Sequence, residues 1–137
     1  MSFHIRRADY YYATVVDRPG EGYRILSQLA GEGVSLMAFT GVPLGPEQTQ
    51  FTLFPDDPLK LIDAAQKAGL ALDGPHRALL VQGDDEPGAL VEIHTKLHSA
   101  KVNVYASNGV SDGRGGFGYT LYVRPEQYET AAAALDI

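Results

Sequence analysis

At 137 residues, 45% hydrophobic and 20% charged, the chain has the length and composition of one average globular domain or two very small ones, and not of a disordered segment. It contains no cysteine, which excludes a disulfide framework, a thiolate metal site and a cysteine nucleophile. With 17 acidic against 11 basic side chains the net charge is −6, which argues against nucleic acid as a partner, and the apolar runs are too short for a membrane span or a signal core, so a cytoplasmic setting is expected.

Ser2 to Arg7 alternates like a strand through Phe3 and Ile5. Tyr10 to Val16, aromatic and β-branched, reads as a strand. Asp17-Arg18-Pro19-Gly20 is a turn signal. Gly22, Ile25, Leu26 and Leu29 then fall at i, i+3, i+4 and i+7, one helical stripe, and Gly33 suits the helix C-terminus. Val34, Leu36 and Ala38 alternate with Ser35, Met37 and Phe39, the period of a strand with the aromatic side opposite the Val/Leu/Ala side. After a glycine-bearing loop, Gln50 to Phe54 forms another strand. Pro58 opens a second helix over Leu59 to Ala68, and Leu70 to Leu72 reads as a short fourth strand. Asp73-Gly74-Pro75 looks like a joint.

Beyond that joint the same order returns. A shift of 68 residues pairs Tyr11–Gly69 with Leu79–Ile137 without a gap, and fourteen of the 59 pairs are identical, against a few expected by chance. Among them are Asp17/Asp85, Pro19/Pro87, Gly20/Gly88, Ile25/Ile93, Leu29/Leu97, Val34/Val102, Gly41/Gly109 and Leu53/Leu121. The helix after Gly88 carries Leu90, Ile93, His94 and Leu97; Val102, Val104 and Ala106 repeat the second strand, and Gly118 to Val123 the third. Each copy has the order βαββαβ. The fold class is therefore α+β: two ferredoxin-like modules, with antiparallel sheets and helices on one face.

The modules are placed at residues 10–73 and 76–137. The second ends before a fourth strand, so residues 1–9 are expected to supply that edge, in their own chain or a partner's. Tyr10, Tyr11 and Tyr12 put aromatics on both faces of the first strand, and Met37, Phe39 and Tyr105 lie opposite the Val/Leu/Ala stripe, so module packing or a homodimer is expected to bury them, the alternative being an aromatic-lined ligand surface.

A strand, Asp-x-Pro-Gly-x-Leu, an amphipathic helix and then Val-Asn-Val resembles the ACT domain family. The second copy carries it best, with Asp85 to Leu90 and Val102-Asn103-Val104. Together the copies cover nearly the whole chain and are similar to free-standing tandem ACT proteins of the glycine-cleavage-repressor type; no stretch is left over for a catalytic or DNA-binding domain. The resemblance implies a small-molecule-binding regulator, with an amino acid as ligand, no catalysis of its own, no cofactor and no metal, working as a homodimer or on a regulated partner protein. It also implies a ligand between one module's turn and the other's second strand. Asp85, Gly88, Ala89 and Leu90 would then face Ser35, while Asp17, Gly20 and Glu21 would face Asn103.

The chemistry suits that role. The Pro-Gly turn leads into a helix whose first N–H groups lack internal partners and attract a carboxylate. Gly20 and Gly88 allow close approach of the backbone, and Asn103 offers both donors and an acceptor. Gly22 and Ser35 depart from the pattern, so one good site is expected at most. Each residue also has a plainer reading. Asp17 and Asp85 fit as turn or helix-cap acceptors, and turn geometry alone accounts for Gly88 and Asn103.

Two other functions compete. One is a small enzyme on the same scaffold using His94 or His98 as acid or base. The other is a ligand-free adaptor that binds a protein partner. The two histidines have helical i, i+4 spacing but no third metal ligand, and His94 takes the slot of Leu26, as a packing residue would. Gly113 to Gly118 resembles a phosphate loop, but it joins two strands instead of a strand and a helix and reads as a mobile hairpin.

Overall fold

A computed structural model describes residues 3–137. In chain order the elements are β1 (Phe3–Val16), α1 (Glu21–Gly31), β2 (Leu36–Pro43), β3 (Gln48–Pro55), α2 (Pro58–Ala68), β4 (Asp73–Asp84), α3 (Ala89–Ser99), β5 (Val104–Ser111), β6 (Gly116–Val123), a 3-10 turn (Pro125–Gln127) and α4 (Tyr128–Ala134). They form two compact units. The first module is Asp9–His76; the second is Arg77–Ile137 together with the N-terminal residues to Ala8. The architecture is α+β with the βαββαβ order read from the sequence.

In the first module the strand order is β2-β3-β1-β4, with Asp73–His76 as its share of β4. β1 and β3 run antiparallel, placing Tyr11 opposite Leu53 and Ala13 opposite Phe51. Alternation sends Tyr11, Ala13 and Val15 to the helix side, where they meet Ile25 and Leu29 of α1 and Leu61 and Ala64 of α2. Tyr10 and Tyr12 point the other way; Tyr10 stacks on Phe54 at 5.2 Å, and the Tyr12 ring lies 5.1 Å from His76. Asp57 caps α2 through its side chain, Pro58 occupies the first turn, and Gly69 ends the helix in the left-handed region.

The second module has the order β1-β4-β6-β5, with Phe3–Ala8 as its share of β1. Leu79 faces Leu121 and Val81 faces Tyr119 across β4 and β6. These pack on Ile93 and Leu97 of α3 and on Tyr128, Ala131 and Leu135, with Phe3 and Ile5 against the same core. The Arg7 and Arg77 guanidiniums both donate to Glu129, at 2.8 and 2.9 Å, and Arg77 lies 3.9 Å over the Tyr128 ring. Two guanidiniums hold the Glu129 carboxyl down at about 2.

Four local expectations are corrected. Leu70 to Leu72 is not a strand; Leu70 and Leu72 pack on the first core without ladder pairing, and the strand starts at Asp73. The supposed joint Asp73-Gly74-Pro75 lies inside β4, with a cis Gly74–Pro75 bond. A Cβ at Gly74 would come 2.8 Å from Tyr11 Cδ2 and 2.9 Å from the Tyr10 carbonyl oxygen, so glycine is what lets β4 lie this close to β1. The helical stripes are also offset by one residue: Glu21, Ile25 and Leu29 are buried in α1 and Ala89, Ile93 and Leu97 in α3, while Leu26 and Leu90 are partly exposed. Finally, register breaks between Leu36 and Ala38 and between Val104 and Ala106 interrupt strict alternation. Phe39 therefore lies beside the core residue Phe51, at 5.1 Å, instead of on the opposite face.

Candidate functional site

Both modules build the same turn between their first strand and first helix. In the second, the Asp85 N–H donates to the Gly115 carbonyl at 2.8 Å, tying the turn to the β5–β6 hairpin. Gly88 has φ +83°, a conformation that an L side chain resists. The Ala89 and Val91 N–H groups donate to the Glu86 and Gly88 carbonyls, both at 3.0 Å, and start α3. The hairpin loop is held by Asp112, whose Oδ1 accepts from the N–H groups of Arg114 and Gly116.

These pieces flank an open pocket of about 440 Å3. On one side it is lined by Asp85, Glu86, Gly88, Ala89, Leu90 and Val91; on the other by Gly109 to Ser111 and Phe117 to Tyr119. Tyr119 is buried, and its hydroxyl lies 2.7 Å from His94 Nε2. A Cβ at Gly109 would come 2.8 Å from the Tyr119 ring, so that ring needs glycine beside it.

The first module carries different side chains at the corresponding turn. The Asp17 N–H donates to the Glu47 carbonyl at 2.8 Å, matching the Asp85 bond, and Gly20 has φ +90°. The next residue, Glu21, is only 8% exposed, and its carboxylate accepts from Arg18 Nε and from an Arg24 terminal nitrogen, each at 3.0 Å. Those guanidiniums hold the carboxyl below the usual carboxylate range. Phe51, in the place of Tyr119, sets its ring 3.3 Å from where a Gly41 Cβ would lie and 3.7 Å from where a Gly22 Cβ would lie. Gly22 replaces Leu90, and Leu26 replaces His94.

Of the residues singled out from sequence, Asp85, Gly88, Ala89 and Leu90 line one cavity. Asp17, Gly20 and Glu21 share the first turn. Asn103 is exposed and outside the cavity lining; its backbone N–H donates to Gln127 Oε1 at 3.1 Å. Ser35 is exposed, with its carbonyl accepting from the Asp56 N–H at 3.0 Å. His94 is half-buried against Tyr119. Among the described residues no three His, Cys, Asp or Glu side chains gather as a metal site would require, and no helix is long and apolar enough to cross a membrane. The strand residues of the wall, Val110, Phe117 and Tyr119, were missed. The pairings Gly41/Gly109 and Phe51/Tyr119 in the repeat were the available signal.

No family model matches the sequence, and no curated protein does. Solved structures do match. Protein BT0572 from Bacteroides thetaiotaomicron superposes with a TM-score of 0.81 at 14% identity, over 96% of this chain and 88% of that one. The regulatory subunit of aspartate kinase from Thermus flavus gives 0.61 at 16% identity, over 98% and 94%. A regulatory domain assigned to aspartate kinase in Porphyromonas gingivalis gives 0.51 at 12% identity, over 98% and 95%. Likeness at this identity speaks for the fold alone: two ferredoxin-like modules in one chain.

Proposed function

We propose that this chain is a non-catalytic regulatory protein that binds an amino acid in the second module's cavity and passes the signal to a partner protein. The observation that carries the reading is the cavity itself. It opens where Gly88 leaves the backbone bare and at the N-terminal end of α3, whose dipole favours a carboxylate. Its volume lies within the usual range for small-ligand sites. The name of the Thermus flavus protein, a regulatory subunit, supports a regulatory role for this fold without fixing the ligand. The first module, with Glu21 and Phe51 at its turn, is read as structural, so one ligand binds per chain.

A thermal-shift screen of the full chain against the twenty amino acids tests this. A ligand that binds only the folded state adds about 2.7 kcal/mol of stability at a hundred times its Kd. A shift that is lost in Leu90→Arg, whose site is 36% exposed and tolerant of change, is the expected result. No shift at millimolar concentrations removes the reading and leaves the adaptor.

A further inference from the structure

The cavity's lining restricts the chemistry of what can occupy it. Its charged side chains, Asp85 and Glu86, are both acidic, and no lysine or arginine is among the lining residues. A phosphate or a second carboxylate on the ligand would lose water here and meet two like charges, with no cation to offset the cost. An ammonium group is the complementary match.

Most of the remaining wall is hydrocarbon. Leu90 and Val91 line it from α3, and Phe117 and Tyr119 from β6; Val110 pairs with Gly118, so its side chain lies on the other face of the sheet. Tyr119 presents its ring and not a free hydroxyl, because that oxygen is engaged with His94 at 2.7 Å. Val91 is 65% exposed and Leu90 36%, so apolar surface lies open to water at the mouth. Covering it is favourable in proportion to the area removed from water.

Given the cavity as ligand site, we infer that its ligand is a neutral α-amino acid with a long aliphatic side chain. The ammonium group lies toward Asp85 and Glu86, and the side chain runs along Leu90, Val91, Phe117 and Tyr119. This inference rests on the proposed function and narrows it to one chemical class.

Calorimetry on the full chain with alanine, 2-aminobutyrate, norvaline and norleucine tests it. Kd is expected to fall roughly fourfold for each added methylene. Lysine, which is norleucine with a terminal ammonium, and aspartate are expected to bind roughly tenfold or more weakly than norleucine. Val91→Asp, at a position 65% exposed, should flatten the series while leaving the melting temperature of the free protein nearly unchanged. A flat series in the unaltered protein overturns the aliphatic class. So does lysine or aspartate binding as tightly as norleucine; if that binding is lost in Leu90→Arg, the cavity stands as the site and only the class is wrong. No binding by any of these or by the other natural amino acids overturns the site along with the class.

Discussion

The two modules share a turn and differ in the side chains around it. In the first, Glu21 sits between Arg18 and Arg24, and Phe51 lies over Gly22 and Gly41. In the second, Ala89 supplies no carboxylate, Leu90 stands at the rim, and Tyr119 is drawn toward His94 by a hydrogen bond that Phe51 and Leu26 cannot make. A few substitutions within one duplicated frame therefore change which side chains stand beside the turn.

The comparison breaks most severely at the cores. Leu53 and Leu121 are repeat partners, both fully buried. Leu53→Ala and Leu121→Ala are each expected to cost about 2–5 kcal/mol in urea unfolding. Similar losses would show that the open turn does not make the second module a weaker fold. Converting one turn into the other sharpens the contrast. Glu86→Arg, Ala89→Glu and Glu92→Arg together install the arrangement of Arg18, Glu21 and Arg24 in the second module. Calorimetry should then show ligand binding lost while circular dichroism stays unchanged. Binding that survives would mean that the carboxylate arrangement of the first module does not exclude a ligand.

Acid sensitivity separates the modules next. A carboxyl with a lowered folded pKa stabilises above its unfolded value, roughly 4.3 for glutamate. That contribution is lost as pH falls through the folded value, which is about 2 for Glu129. Glu129→Gln should therefore lower the melting temperature at pH 6, and the gap to the unaltered protein should close between pH 4 and 2. A gap that persists at pH 2 would mean that the loss comes from packing and not from charge. The Glu21 contribution in the first module should fade in the same direction. The smallest effect is at the helix ends. Gly33 and its repeat partner Lys101 both have positive φ, +79° and +60°. A lysine there is strained, so Lys101→Gly is expected to raise stability by about 1 kcal/mol at most in urea unfolding.

Much of the fold was legible because the repeat marks it twice. Asp-x-Pro-Gly located both turns, and the recurring Ile and Leu of each helix located both cores. Other features depended on contacts across the sheet that spacing does not carry. Arg7 and Asp9 interrupt the apolar alternation of β1, so the strand looked like two pieces; Arg7 in fact serves α4 through Glu129. One extra residue in β2 and in β5 changes which side chains share a face, and Phe39 changed sides with it. At the site, the turn residues were visible as a motif, whereas the strand wall became apparent only once β5 and β6 were seen beside α3. Glu21 was named as a ligand contact in the sequence. The i, i+3 steps from Arg18 to Glu21 and from Glu21 to Arg24 were the available signal that arginines occupy its carboxylate.

β1 and β4 each lend residues to both modules, and this bears on how the protein can be taken apart. Cutting at the seam that the repeat suggests, near residue 75, separates residues 76–137 from Phe3 and Ile5, which pack on their core. The inherited unit and the folding unit are therefore offset: the second module needs chain from before the first copy as well as the second copy itself.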